Sequence, residues 1–214
     1  MTVTKIEPVT KSKYKIYLDG QFAFVLYKGE LSRYHIEEEG SLEEAQYQKI
    51  RNDIVLKRAK LRAMHLLTDM GRTESQLRSK LALGGYPEDI VGEAVEYVKS
   101  FGYIDDMEYA RSFIESRKDK KSRKELYAAL SQKGVEKELI EQAFEECYGN
   151  EDSRAAIEAI LQKKKYDPRT ADHAQTQKIL GYLVRKGFHY EDIDRKSTRL
   201  NSSHLKLSRM PSAA

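Results

Sequence analysis

The sequence predicts a mainly α-helical chain: a tandem array of three trihelical, helix-turn-helix-like units behind a small N-terminal β-hairpin module. Two observations carry this reading. The stretch from Thr73 to Ala94 returns without a gap from Ser122 to Ala143. Each copy opens with a hydroxyl residue fit to cap a helix and places two leucines at helical spacing (Leu77 and Leu81, then Leu126 and Leu130). Each then breaks at a glycine (Gly85, Gly134), sets one apolar residue (Tyr86, Val135), and begins a second amphipathic helix. Self-similarity at such a period marks a stacked array, because one unit cannot bury its own apolar face. The second observation is the contrasting front end, whose pattern is that of strands.

Composition bounds the rest. Charged residues make up 34% of the 214 and hydrophobic ones 40%, with no Trp, as in a soluble helical protein with much solvated surface. No apolar run reaches membrane-spanning length and the N-terminus lacks a signal-peptide pattern, so no membrane partner is expected. Cys147 sits at an apolar helix position, as a small hydrophobe would, and a reducing, cytoplasmic setting follows. The formal charge is +4, yet five basic and no acidic residues lie in 195–214, which leaves −1 for everything before them. The basic balance belongs to the tail.

In order along the chain, Lys13–Leu18 and Gln21–Tyr27 are rich in aromatic and β-branched residues, and Asp19-Gly20 between them signals a two-residue hairpin. That turn sets Ile16 opposite Ala23 and Tyr14 opposite Val25 on one face, and Tyr17 opposite Phe22 on the other. Thr2–Val9 can add an edge strand. The module reads first as a sheet docked on the helices and second as an aromatic platform for a partner. Lys28–Ile36 can form a helical turn, and Ser41-Leu-Glu-Glu44 reads as a capping box for the next helix. That helix either breaks at Asn52-Asp53 or runs on through Arg58–Leu67, with Leu61, Ala63, Met64, Leu66 and Leu67 inward and His65 in the core or half-buried.

Ala63, Leu66, Leu67 and Met70 lead the first copy, as Ala110, Phe113, Ile114 and Arg117 lead the second, so each unit is three helices. Gly102 stops one unit, and Asp105 or Asp106 caps the next. A third, eroded unit follows: a lead helix from Asn150 with Asp152 or Asn150 as cap, then Ile179–Gly187-Phe188, then a closing helix from Tyr190. Its pattern fails where Lys196, Ser197 and Leu200 replace Ala143, Phe144 and Cys147 of the second copy. Residues 195–214 therefore read as a non-native, disordered tail, the alternative being a basic arm for DNA phosphates. The divisions are 1–40 (hairpin module and linker), 41–100 (lead helix and first unit), 101–149 (second), 150–194 (third, truncated) and 195–214.

No catalytic constellation is present, and no cofactor or metal is expected. His35, His65, His173, His189 and His204 are scattered, Gly84-Gly85 closes a helix without a phosphate-loop continuation, and Asp105-Asp106 reads as capping residues. Function is therefore sought in binding. Arg72, Arg78 and Lys80 lie at the second helix of the first unit, and Arg111, Arg117, Lys120, Lys121, Arg123 and Lys124 gather at the first loop of the second. Of the eight residues Arg117–Lys124, only Asp119 is acidic. These positions are candidates for a basic stripe facing DNA phosphates or an acidic groove of a protein filament. Lys163–Lys165 read instead as favourable cations at a helix C-terminus. The closing helices are acidic (Glu88, Asp89, Glu93, Glu96; Glu136, Glu138, Glu141, Glu145, Glu146), which speaks against a tandem helix-turn-helix transcriptional regulator that reads a major groove.

Three strings carry a family resemblance. Gly102-Tyr-Ile-Asp-Asp-Met-Glu-Tyr-Ala110 resembles the Gly-Tyr-(Ile/Leu)-(Asp/Asn)-Asp-x-x-(Tyr/Phe)-Ala element of the RecX family. Arg72–Leu81 is similar to that family's Arg, Ser/Thr, Leu and Lys-Leu element, and Lys133-Gly-Val135 fits as well. The match spans roughly residues 55–194; the front module is like that of longer Gram-positive members, and the tail departs from the family. The resemblance implies a non-enzymatic, monomeric regulator of the RecA recombinase. Such a protein docks on the RecA–single-stranded DNA filament, limits strand exchange, ATP hydrolysis and the co-protease activity behind the SOS response, and has at most weak contact with DNA. The array it implies is elongated and curved.

Overall fold

Asp19 and Gly20 both take positive φ (49° and 83°), as a two-residue hairpin turn of this hand requires. The turn joins two strands of a three-stranded antiparallel sheet: β1 (Val3–Pro8), β2 (Lys13–Leu18) and β3 (Gln21–Tyr27), in the order β1-β2-β3. The computed structural model describes residues 1–193, so the tail predicted for 195–214 lies outside the described residues. The hairpin register corrects the sequence expectation. Tyr17 does pair with Phe22, but Ile16 pairs with Phe24 and Tyr14 with Leu26, because a bulge follows Phe22. The extra residue carries Phe24 inward, where it and Leu26 are buried beside Ile16 and Leu18, while Phe22 stays outside. The outer edge of β1 is covered: Val3 N–H donates to Gly40 O at 2.9 Å, and Ile6 N–H to a Glu38 carboxylate oxygen at 2.8 Å.

Helix α1 (Lys28–Tyr34) ends at His35 in the left-handed conformation. The capping box read at Ser41 does not form. Ser41 instead bridges Thr2, Leu42 N–H donates to Met1 O, and α2 (Glu44–Ile50) starts without a side-chain cap. The N-terminal strand has taken the backbone that the box needed. No break occurs at Asn52-Asp53: α2 runs through a π-helical turn, Arg51–Leu56, into α3 (Lys57–Asp69). Val55, Leu56, Ala59, Ala63 and Leu66 are buried, Met64 and Leu67 half-buried, and Leu61 (67% exposed) and the His65 side chain (66%) lie outside. The expectation that these two face inward is corrected. Arg51 opens the π turn, its guanidinium meeting Asp89 at 2.6 Å and Glu93 at 2.5 Å.

The repeated stretches become α4 (Glu74–Leu83) and α5 (Glu88–Ser100), then α7 (Arg123–Gln132) and α8 (Lys137–Cys147). Lead helices are α3, α6 (Asp106–Glu115) and α9 (Asn150–Lys163). Thr73 and Ser122 are fully buried caps: their hydroxyls accept the N–H of Gln76 and Glu125, both at 3.2 Å, and those side chains reach back to the cap N–H. The third unit repeats the device with another residue. Asp172 accepts Gln175 N–H at 2.6 Å and opens α10 (His173–Lys186), which therefore begins before the segment recognisable by sequence at Ile179. The cap of α9 is the Gly149 backbone, whose N–H donates to Asp152 at 2.8 Å. Each middle helix closes on the same left-handed glycine. Gly85 (φ 85°), Gly134 (78°) and Gly187 (93°) let Tyr86, Val135 and Phe188 return their N–H to Leu81, Leu130 and Leu183.

Residues 1–109 form one compact unit and those from Ala110 onward a second. In the first, the buried sheet face joins Ile50, Leu77, Leu81, Ile90, Val91, Ala94 and Val98 in one core. In the second, Ile114, Leu126, Leu130, Ile140 and Phe144 are buried, and Ala156, Ile157, Leu183, Phe188 and Ile193 form a further cluster. Ser122 Oγ also donates to Lys186 O at 2.5 Å, so one hydroxyl caps α7 and ties it to the end of α10. Ser122→Ala removes both bonds and leaves buried backbone groups unpaired. It is expected to cost about 1–2 kcal/mol in urea unfolding, against a few tenths for Ser116→Ala on the exposed end of α6.

Candidate functional site

The nine candidate cations divide by what they already hold. Arg72 donates from Nε to Leu66 O at 3.0 Å and so satisfies the end of α3. Arg78 meets Glu74 at 2.8 Å and approaches Glu88 at 3.9 Å. Burial raises the Glu74 carboxyl, but hydrogen bonds from Lys99 and Arg78 outweigh it and hold the group below its ordinary value. Arg111 is paired with Glu146 at 2.6 Å. Arg117 lies over the Phe113 ring, 4.2 Å from its centroid, and donates to Ser116 Oγ at 2.5 Å. These four arginines are partly buried and act within the fold. Lys80, Lys120, Lys121, Arg123 and Lys124 are exposed. Lys120 has only a 3.5 Å contact with its neighbour Asp119, and Arg123 spreads over Phe144 at 4.9 Å. Lys80, Lys121 and Lys124 have no carboxylate within ion-pair reach among the described residues.

The second half of the chain concentrates this charge further. Lys120 and Lys121 line a cleft of about 500 Å³ together with Lys163, Lys164, Lys186 and Tyr182, and Glu125 is its acidic member. An adjoining cleft of about 440 Å³ shares Lys164 and Tyr182 and adds Lys165, Lys178 and Arg185, with Asp167 as its acidic member. The ammonium groups of Lys164 and Lys186 stand over the Tyr182 ring at 4.8 and 5.8 Å. Lys186 is also bonded to Glu125, which raises its pKa and keeps it charged. Lys163 lies in the last turn of α9 with Lys164 as its cap, and Lys163–Lys165 also line these clefts. Lys186 and Tyr182 were not singled out in the sequence, because they lie in the eroded copy, far in number from Lys120. A cleft of this makeup suits a polyanion or a carboxylate-rich protein surface. The closing helices point the other way: Glu88, Asp89, Glu93 and Glu96 on α5, and Glu138, Glu141, Glu145 and Glu146 on α8 with Glu136 at its cap, are exposed.

The carboxylate pair resolves into two caps. Asp105 accepts Glu108 N–H at 2.9 Å and caps its own helix, while Asp106 accepts Glu74 N–H at 2.8 Å and serves α4 beside Thr73. Burial pushes the Asp106 carboxyl up despite that bond. Cys147 is half-buried and its thiol is likewise raised by burial. Among the described residues no three His, Cys, Asp or Glu gather as metal ligands, and no helix is long and apolar enough to cross a membrane.

Residues 59–97, 105–143 and 151–196 match, in that order, the family models of the first, second and third three-helix domains of RecX. The chain belongs to the RecX family. A Regulatory protein RecX of Caldanaerobacter subterraneus subsp. tengcongensis is 36% identical over 91% of this chain and 98% of its own length. That of Leuconostoc citreum is 29% identical over 89% and 73%. A crystal structure of regulatory protein RecX superimposes with TM-score 0.60 over 90% of this chain and 97% of its own, and RecX from Lactobacillus salivarius with 0.57 over 69% and 97%; both are 24% identical and bear on the fold. The matched domains begin at residue 59, so the sheet module lies ahead of them.

The raised Asp106 pKa gives a signed prediction. A carboxyl harder to ionise in the folded chain adds stability that is complete below its unfolded pKa and lost as pH rises through the folded one. Asp106→Asn keeps an acceptor for Glu74 N–H and removes the charge. In urea melts at stepped pH, the parent should lose stability relative to this variant on going from strongly to weakly acidic buffer. A pH-independent difference would show that the Asp106 charge is fully compensated.

Proposed function

We propose that this protein binds the RecA–single-stranded DNA filament and restrains it, acting as a monomer in the cytoplasm by occupancy rather than by catalysis. The observation that carries the reading is the succession of all three RecX domains in one chain, together with 36% identity to a protein named Regulatory protein RecX. Its consequences would be slower strand exchange, less DNA-dependent ATP hydrolysis, and weaker co-protease activity toward the SOS response. The exposed cations Lys120, Lys121 and Lys124, with the lysine-lined cleft beside them, are the contact region we assign to an acidic filament surface or to phosphates. Arg72 and Arg78 are held by bonds within the first unit, and Arg111 and Arg117 by contacts within the second. The exposed glutamates of α5 and α8 disfavour insertion of a closing helix into a duplex groove.

Substoichiometric protein is expected to inhibit RecA strand exchange and the accompanying ATP hydrolysis, and unchanged rates would refute the proposal. Replacing Lys120, Lys121 and Lys124 together by Ala should weaken filament binding by on the order of tenfold at low salt, the difference shrinking as salt screens the charges. Arg123→Ala should act on stability instead, because it uncovers Phe144. Helicity by circular dichroism separates the two outcomes.

A further inference from the structure

The sheet module has a second face, turned away from the core. Alternation along β2 buries Ile16 and Leu18 and leaves Lys13, Lys15 and Tyr17 on the opposite side. On β3 the bulge keeps Phe22 with that outer set, and Tyr27 joins it; both are 37% exposed. Tyr17 and Phe22 meet edge to face with centroids 5.9 Å apart. The cations stand over the rings their register gives them: Lys5 is 5.5 Å from the Tyr17 centroid and Lys13 is 5.4 Å from that of Tyr27. The face also holds one carboxylate, Glu7, and it is engaged by Lys5 at 2.8 Å and by the Tyr17 hydroxyl at 3.5 Å.

One side of this face is bounded by the turn between α4 and α5. A Cβ on Gly85 would stand 3.0 Å from a Val25 methyl, so only a glycine lets that turn lie against β3. Arg58 reaches the same border, 4.6 Å from the Tyr27 centroid, donating to Val25 O at 3.2 Å and paired with the Glu30 carboxylate. Burial raises the half-buried Tyr86 hydroxyl, and the charges of Arg58 and Arg62 oppose that rise. With Lys5 paired to Glu7 and Arg58 to Glu30, the local excess of cations on this face is Lys13 and Lys15, in a stretch 1–194 whose formal charge is −1.

We infer that the outer face of this sheet is a binding platform for single-stranded nucleic acid, with Tyr17 and Phe22 stacking on bases and Lys5, Lys13 and Lys15 meeting phosphates. Rings that stack need bases already unstacked, which a single strand supplies and a duplex does not. Same-face side chains recur about every 7 Å along a strand, close to the phosphate step of an extended single strand. A protein partner would be met by apolar area with balanced charge; here the two carboxylates, Glu7 and Glu30, are taken up by Lys5 and Arg58, and Lys13 and Lys15 stand on flexible stems able to swing to a phosphate. The site is separate from the filament contact region, and its binding requires no recombinase.

The test uses the full chain alone, titrated into labelled oligothymidine at low salt and read by fluorescence anisotropy. Tyr17→Leu with Phe22→Leu keeps apolar bulk but removes the rings, and should weaken binding about tenfold. Lys13→Gln with Lys15→Gln should weaken it as well and lower the slope of log affinity against log salt by about 1.4. The Lys120, Lys121 and Lys124 variant serves as the comparison: if it alone abolishes binding while both sheet variants bind as the parent does, the inference falls and that cleft is the nucleic-acid site. No binding by the parent also overturns it, as does equal affinity of the parent for a duplex of the same length. Should the Leu variant melt lower than the parent, the salt slope of the Gln variant decides alone.

Discussion

A unit of three short helices closes only if the chain can reverse sharply between its second and third helix. Gly85, Gly134 and Gly187 meet that constraint with the same left-handed backbone, and the residue after each returns a hydrogen bond to the leucine of the turn before. A side chain there would meet the strain of positive φ, and at Gly187 a Cβ would stand 2.5 Å from the Lys124 Cβ. Everything apolar in the unit follows from the turn. In the first unit it sets Leu77 and Leu81 in the core with the lead helix and swings α5 across them, and in the second it packs α8 on α7, where Leu126 and Leu130 are buried. Neither a four-residue repeat of leucines nor a good cap would hold a helix of this length alone in water; the packing of three does.

The buried caps show how one polar group can serve two elements. Ser122 satisfies the start of α7 and holds the last turn of α10 through Lys186 O, and Glu125 of the same capping box holds the Lys186 ammonium. In the first unit Asp106 does the equivalent across a longer span of chain, capping α4 from the start of α6. Such bonds fix the spacing of successive helices more sharply than apolar packing, which tolerates sliding. They also explain why basic residues at the loops are of two kinds. Those whose stems lie against rings or helix ends, such as Arg72 and Arg117, are committed to the fold. Lys120, Lys121 and Lys124 begin where that commitment stops.

The sequence made the helical repeat legible because capping box, leucine spacing and terminal glycine recur at one offset, each with a local physical cause. It hid what depends on distant partners. The Ser41 capping box is locally complete, yet Ser41 bridges Thr2, a strand residue no local rule connects to it. His65 and Leu61 fall on the side of α3 opposite Ala59, Ala63 and Leu66, and the local pattern, apolar on both sides, does not say which of them the core takes. The bulge after Phe22 is equally silent, since Phe22, Ala23 and Phe24 are all acceptable on either side of a strand. For the candidate site, charge density marked Arg117–Lys124, but not which of those cations were free. Nor did it mark Lys186 and Tyr182, which the fold of the third unit brings to them.

The bulge matters most for what the sheet module can be. With an unbroken register, Phe24 would have faced outward beside Lys15 and Ala23 would have lain opposite Ile16, giving a thin core and a larger exposed apolar face. The extra residue resolves this conflict: Phe24 stacks on Tyr47 of α2 at 5.8 Å inside, and the outside keeps Tyr17, Phe22 and Tyr27 with lysines beside Tyr17 and Tyr27. A face kept for solvent alone has no use for three aromatic rings, which cost solubility and favour sheet-to-sheet association. A face kept for the core has no use for Lys5, Lys13 and Lys15. Rings and cations together at the spacing of a pleated sheet are what a flexible polyanion with flat bases requires, and the docked helices make that sheet rigid enough to present them.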